Sequence, residues 1–322
     1  MVERFDPADL DKIETRALSD RANKVSIDVF ARECDENVSF AEFVDSLPDT
    51  LAARSLRDLA RAVVEARLGG RPVVWAMGAH PIKVGVSPVL IRLMERGMIC
   101  ALVLNGAGAI HDWEIAAIGA TSEDVASGLD DGRFGMAEET GRALNDAARE
   151  AAESGRGLGE VLGRRIAESE LPHKRFSLLA GAHRLGLPVT VHVAIGSDTV
   201  HMQPSADGGA IGAATFTDFK RLAGLVGQLA GGVWIHCGSA VQLPEVFLKA
   251  LTVARNLGNA VRPITTANLD MQRHYRVEQN VLARPTTGGG VAFNLIGHHE
   301  INVPLLAGAI LVERRRRGAA RP

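Results

Sequence analysis

The sequence predicts an α/β protein: a parallel sheet flanked by helices, with a helical N-terminal segment and a helical insertion. Three observations lead there. Short apolar runs alternate with stretches of helical periodicity, the pattern of βαβ units. Aromatic residues make up only 4% of the chain while Ala, Gly, Val and Leu are plentiful, which suits helices packed closely on a buried sheet. Glycines and polar side chains gather where the apolar runs end, as they would at strand ends that face a ligand. The 322 residues, 46% of them hydrophobic, suffice for a full core in a single domain.

Residues 1–70 read as a helical segment. SFAEFVDSLPDTLAARSLRDLARAVVEARLGG carries apolar residues at three- and four-residue steps, and Gly69-Gly70 form its stop. Residues 71–312 form the core. RPVVWAMG is a strand ending in Gly78. SPVLIRLMERG follows as a helix, with Pro88 near its start and Gly97 past its end. MICALVLNG is the second strand. Residues 122–172 read as the helical insertion, containing EETGRALNDAAREAAESG and GEVLGRRIAES. SLLAGAHRLG is a short helix and LPVTVHVAIG the third strand. FTDFKRLAGLVGQLAGG is a helix and VWIHCGSA the fourth strand. LPEVFLKALTVARNLG is a helix and AVRPITTANL the fifth strand. GGGVAFNLIG is the sixth, and NVPLLAGAILVERR the closing helix. The remaining 313–322, ERRRRGAARP, read as a solvated basic tail.

Charge is nearly balanced, 36 Lys+Arg against 38 Asp+Glu, so no overall field draws the chain to nucleic acid or to an anionic membrane. No apolar run reaches ~18 residues, the length a membrane span needs. MVERFDPADLDKIETR has no apolar stretch of a signal peptide. A cytoplasmic protein is the expectation. Cys34, Cys100 and Cys237 stand alone without a CxxC, and the odd count argues against a disulfide framework. Cys100 and Cys237 sit in apolar runs and read as buried thiols.

The strand ends carry the candidate site: MGAHPIKVG, NGAGAIHDWE, AIGSDTVHMQPSADGG, HCGSA, TTANLDMQRH and NLIGHHE. In NGAGAIHD, small residues would let backbone N–H groups approach a ligand at the N-terminus of a helix starting near Ile110. A plain strand-to-helix turn accounts for it equally well. His80, His111, His192, His201, His236, His298 and His299 include candidate acid-base groups. No HxxxH or HxH spacing supports a metal site, and none is expected. Lys83 reads as a solvated lysine, an anion partner or an imine-forming amine. Asp198, His201 and Asp207 share one loop, in which Asp207-Gly208-Gly209 has the composition of a turn. TTGGG at 286–290 has the composition of a phosphate loop but lacks the following Lys-Ser/Thr. GxSxG is absent, so Ser239 is a poor nucleophile candidate.

In the order of these features the chain, from about Val73 to Leu311, resembles the deoxyhypusine synthase superfamily. The segments that carry the resemblance are VVWAMGAHPIKVG, LVLNGAGAIHDWEIA, AIGSDTVHMQPS, IHCGSAV, TTANLD and VAFNLIGHHEINVPLLAGAIL. It implies a Rossmann-like fold that binds NAD through Ala79, His80, Asn105, Gly106, Ala107, Gly108, Ser197, Asp198, Thr266, Ala267, Asp270 and His298, with His299 beside it. It also implies a homotetramer with sites at subunit interfaces, and reversible hydride removal from an amine. The family's catalytic lysine has no counterpart in EQNVLARPTTGGG, and Gln242-Leu243-Pro244 replace its histidine pair. Without that lysine the family's covalent imine cannot form there. The expectation is therefore a divergent enzyme using bound NAD on a small amine or amino-acid-like substrate. His111 and Asp112 lead as catalytic groups, followed by His201, His299 and Lys83. An NAD-dependent cyclodeaminase or lyase, and a non-catalytic nucleotide-binding tetramer, are the alternatives.

Overall fold

The structure, a computed structural model, describes residues 5–319. In chain order its elements are α1 (Phe40–Ser46), α2 (Leu51–Leu68), β1 (Val73–Met77), α3 (His80–Lys83), α4 (Ser87–Glu95), β2 (Ala101–Asn105), α5 (Gly106–Ile118), α6 (Val125–Leu129), α7 (Glu138–Ser154), α8 (Leu158–Glu168), α9 (Leu178–Arg184), β3 (Val189–His192), α10 (Gly208–Gly227), β4 (Val233–Cys237), α11 (Gln242–Asn256), β5 (Thr265–Asp270), α12 (Tyr275–Val277), α13 (Arg284–Thr286), β6 (Val291–Ile296) and α14 (His299–Ala319). A π-helix, Glu278–Ala283, joins α12 to α13.

All six strands are parallel, in the order β3-β2-β1-β4-β5-β6. This is a Rossmann-like α/β fold. Every residue of β1 and β4 is buried, because helices cover both faces. That is why these strands read as unbroken apolar runs rather than alternating ones. On one face Trp75 and Met77 pack with residues of α2, α4, α9 and α14. On the other, Val74, Ala76 and Trp234 meet α10 and α11, where the Trp234 and Phe247 rings stack 4.0 Å apart.

Two expectations at the ends of the chain are corrected. The N-terminal segment is helical only in α1 and α2. The spacing of Leu56, Leu59, Ala60, Val63 and Val64 buries one face of α2, and Ser39 with Glu42 forms a capping box on α1. Residues 5–39 contain only three single 3₁₀ turns, which bury nothing, since no helical period runs through them. At the other end the basic run is not a free tail. It continues α14 to Ala319, where Arg316 binds Asp45 of α1 and Arg317 binds Glu65 of α2. Residues 1–4 and 320–322 lie outside the described set.

Edge strand β3 is closed by the insertion. Asp218 of α10 is fully buried. Its Oδ2 accepts the N–H of Val191 in β3 and of Gly159 in the first turn of α8, both at 2.9 Å. Burial pushes its carboxyl up to about 7 in spite of these bonds. The folded chain therefore holds a proton that an unfolded aspartate releases near pH ~4. The stability this proton provides is complete below pH ~4 and is lost as the pH rises through about 7. His192 and His236, pushed down to about 4 by burial, act in the opposite sense between ~4 and ~6.5. A comparison of variants isolates Asp218. Asp218→Asn, neutral throughout, should gain stability relative to the unsubstituted chain between about pH 5 and about pH 8. Urea midpoints measure it; a gap between the two proteins that stays constant with pH would refute the assignment.

Candidate functional site

The strand order reverses between β1 and β4, and open α/β sheets place ligands outside the carboxyl ends at such a point. Here the strand ends step across one another. The Gly78 N–H donates to the Cys237 carbonyl at 3.0 Å, Gly238 to Leu269 at 3.1 Å, and Gly297 to Asp270 at 2.9 Å. A Cβ on Gly78 would lie 2.3 Å from the Gly238 carbonyl oxygen, so β1 and β4 meet at this closeness only through glycine. The His80 and His299 rings stand above, their centroids 5.2 Å apart. His299 is 1% exposed. Its Nε2 donates to the Leu269 carbonyl at 3.1 Å, and its Nδ1 has no protein partner. Burial lowers its basicity. His236 lies inside β4, with Nε2 bonded to the Ser239 carbonyl at 2.6 Å. Asp270 ends β5, 3.6 Å from His274.

The turn after β2 is filled by the protein itself. Helix α5 starts at Gly106, not near Ile110. The Asn105 side chain accepts the Gly108 N–H at 2.8 Å. The Asp198 carboxylate accepts the N–H of Ala194 at 2.8 Å and lies against the start of α5. A Cβ on Gly106 would lie 2.0 Å from Asp198 Oδ2, so glycine is there to admit this carboxylate. Burial raises the Asp198 carboxyl. A ligand phosphate at Asn105, Gly106, Ala107 and Gly108 would meet the Asp198 carboxylate and a Gly108 N–H already bonded to Asn105.

Beside α5 lies a cavity of about 170 Å³ that collects Lys83, Ala107, His111, Glu114, Ser197 and Asp198 on its walls. His111 Nδ1 is 2.6 Å from Thr121 Oγ1. The Thr121 hydroxyl donates to Glu114, and Thr140 donates to the other carboxylate oxygen at 3.2 Å. Burial alone would raise Glu114, but the bonds around it and the nearby His111 outweigh burial and hold it below the usual glutamate range. An ionised Glu114 takes the single Thr121 proton. Thr121 can then only accept from His111, which places a ring proton on Nδ1 and leaves Nε2 as the ring nitrogen for proton transfer. Lys83 closes α3 and is exposed at the cavity wall.

Other expected residues fall elsewhere. Asp112 is buried and faces away from the cavity. It accepts Ser177 Oγ at 2.5 Å and the N–H groups of Leu178 and Leu179 at 2.7 and 3.2 Å, capping α9. Burial pushes its carboxyl up to about 6. Thr266 and Ala267 lie within β5, fully buried, about 10–13 Å short of its end at the strand rise of ~3.3 Å per residue. They cannot reach a ligand at the strand ends. His201 adjoins Asp198 and Gly106 in a small space behind α5, its Nδ1 unpartnered. His298 is exposed near Glu300. Asp207 caps α10 by accepting the N–H groups of Gly209 and Ala210. Gln242 donates to the His192 carbonyl at 2.7 Å. In TTGGG, the Gly290 N–H bonds back to the Thr286 carbonyl. Glu114, Thr121 and Thr140 were missed. Only Glu114, three residues after His111 on one helix, had a readable signal.

Among the described residues, no group of three or more His, Cys, Asp or Glu is placed to hold a metal ion. No helix among them is long and apolar enough to cross a membrane. Asp112→Ala leaves the α9 N–H groups and the Ser177 hydroxyl buried without an acceptor. It should lower unfolding free energy by roughly 2–3 kcal/mol, read from urea unfolding. A loss within experimental error would sink the capping role.

No protein-family model and no curated protein matches the chain. Solved structures do. A conserved protein described as LOR/SDH from Methanococcus maripaludis S2 is 18% identical over 84% of this chain and 71% of its own, with a TM-score of 0.50. AgrE, solved as a ternary complex with ornithine and NAD+, is 17% identical over 83% of this chain, with a TM-score of 0.46; the match spans 34% of AgrE. An Entamoeba histolytica protein described as a candidate deoxyhypusine synthase is 10% identical over 89% of this chain and 96% of its own, with a TM-score of 0.49. At these identities, the likeness to the Methanococcus protein is one of fold.

Proposed function

We propose that this chain is an enzyme that uses NAD to remove, and return, a hydride on a small amine or amino-acid-like substrate. The observation that carries the reading is the His111–Thr121–Glu114 relay on a cavity reached by α3, the helix that leaves the switch point. The AgrE complex with ornithine and NAD+ supports the same substrate and cofactor classes by analogy.

The cofactor's fit divides between two places. The start of α5 is crowded for a phosphate, because the Asp198 carboxylate lies against it. The switch point suits a dinucleotide better. Ala79, His80, Gly238 and Ala240 are partly exposed there, and the buried His299 Nδ1 lacks a partner that a polar ligand group would supply. Bound there, NAD would supply a hydride acceptor and donor. His80, His299 and Ser239 would hold it.

His111 takes the substrate's proton at Nε2. The charge gained by its ring is balanced through Thr121 by Glu114, so the relay favours the protonated form as the bond to hydrogen breaks. Lys83, exposed at the wall, pairs with a substrate carboxylate. The carboxylates of Glu123 and Asp198, also on the lining, favour a substrate ammonium. At about 170 Å³ the cavity is smaller than the ~300–1,000 Å³ of drug-sized sites, which suits an amino-acid-sized molecule. No lysine stands in the π-helical run Glu278–Ala283, so no covalent carrier is available there. This favours an internal elimination or cyclisation over transfer to a second protein. Ammonia release without net NADH would identify such a cyclodeaminase. The assembly proposed with this reading is a homotetramer with sites at subunit interfaces.

Calorimetric titration with NAD, with NADP and ADP-ribose as controls, tests the cofactor. Saturable NAD binding is expected, weakened at least tenfold, ~1.4 kcal/mol, by His299→Leu. No heat at millimolar NAD would overturn the assignment. With a turned-over substrate in hand, Thr121→Val should lower kcat by about 10- to 100-fold with little change in KM, since it cuts the relay without touching substrate. An unchanged kcat would remove His111 from the chemistry.

A further inference from the structure

Residues 5–30 form an arm whose side chains, Val29 apart, are exposed. Leu10, Ile13, Leu18, Val25, Ile27 and Phe30 are between 61% and 78% exposed. Yet the arm has a defined shape. Asp9 and Ser26 cap two of its turns, and the backbone between turns is extended at Ile13, Ala17, Arg21 and Ser26. Its base is fixed: the Asp49 N–H donates to the Val29 carbonyl and the Arg32 N–H to the Ser46 carbonyl, both at 2.9 Å. Beyond that base, the hydrogen bonds among the described residues of 5–28 stay within the arm and reach no further than Phe30.

The same chain has an open acceptor. Strand β6 is the sheet's edge and pairs only with β5. Among the described residues no further strand pairs with it, and Val291 and Ile296 on it are 51% and 38% exposed, as are Tyr275 and Ile301 at 72% and 61%. An unpaired edge takes up an extended segment through backbone hydrogen bonds and side-chain contacts at alternate positions. At roughly 100 Å² of apolar surface for each large side chain, the six arm residues offer on the order of 600 Å². With backbone pairing this approaches the ~800 Å² that one partner contributes to a standard interface.

We infer that the arm of one copy of this chain lies along β6 of a second copy. Donor segment and acceptor edge belong to one sequence, so the contact is self-complementary and can close reciprocally. It would place the partner's arm beside the carboxyl ends of β5 and β6, at the rim of the switch point. The inference needs neither NAD nor substrate, and its test is read without them.

Sedimentation velocity of the full chain at micromolar concentration decides the matter. The unsubstituted chain should be oligomeric. Ile13→Glu with Leu18→Glu on the arm, and Val291→Glu with Ile296→Glu on the edge, should each weaken association at least tenfold. None of these four side chains is buried in the single chain, so each variant should keep a cooperative urea transition and native circular dichroism, which separates lost assembly from lost folding. A monomeric unsubstituted chain would overturn the inference. So would an arm variant that keeps the parental mass, or an edge variant that keeps it while the arm variant loses it.

Discussion

Three buried aspartates fix the helices of this protein to its sheet. Asp112 accepts the first N–H groups of α9, Asp198 lies against the start of α5 and accepts the Ala194 N–H after β3, and Asp218 accepts the first turn of α8 together with the edge of β3. Each carboxylate sits where a helix dipole is positive and where N–H groups have no partner within the helix. Each is also raised by burial, so these contacts store a tension between solvation and hydrogen bonding. The close approaches depend on glycine. Gly106 and Gly157 would both drive a Cβ into the carboxylate they face. Asp218 holds the start of α8 within the insertion, and the apolar faces of α7 and α8 join the main cluster rather than a second core.

This arrangement explains which parts were legible in the sequence. The six strands stand out because a sheet covered on both sides buries every residue, leaving short unbroken apolar runs such as VVWAM and VWIHC. The helices between them show a 3.6-residue period. The first forty residues show neither pattern, and extending the helix of 51–68 back through them was an over-extension of a local signal. The aspartates could not be assigned from the sequence. Asp112 meets Leu178 66 residues away, and Asp218 meets Gly159 59 residues away. A loop rich in Asp and His looks the same whether it waits for a ligand or caps a neighbouring helix. Here much of the Asp content caps.

The same reasoning changes what the strand ends can offer. Rossmann-like sheets commonly hold an anion at the helix that follows a strand. In this chain, the helix after β2 receives its anion from Asp198. Binding capacity is left at β1 and β4, where His299 keeps an unpartnered nitrogen. The short helix His80–Lys83 serves both places, with His80 against His299 and Lys83 on the lining of the relay cavity. A shift of α3 would move His80 and Lys83 together.

His111 and Asp112 are neighbours in sequence, yet they cannot act together. Successive residues on a helix diverge by about 100°, so when Asp112 turns inward to α9, His111 must turn toward the cavity. The group that completes His111 is Glu114, one turn along the same face, and Thr121 fills the gap left by a 3.6 Å separation. That insertion has a chemical consequence. The hydroxyl gives its own proton to Glu114 and takes the Nδ1 proton of His111, so the ring is held in one orientation with Nε2 as its proton-transfer atom. The pair three residues apart, not the dipeptide, carries the acid-base chemistry of this site.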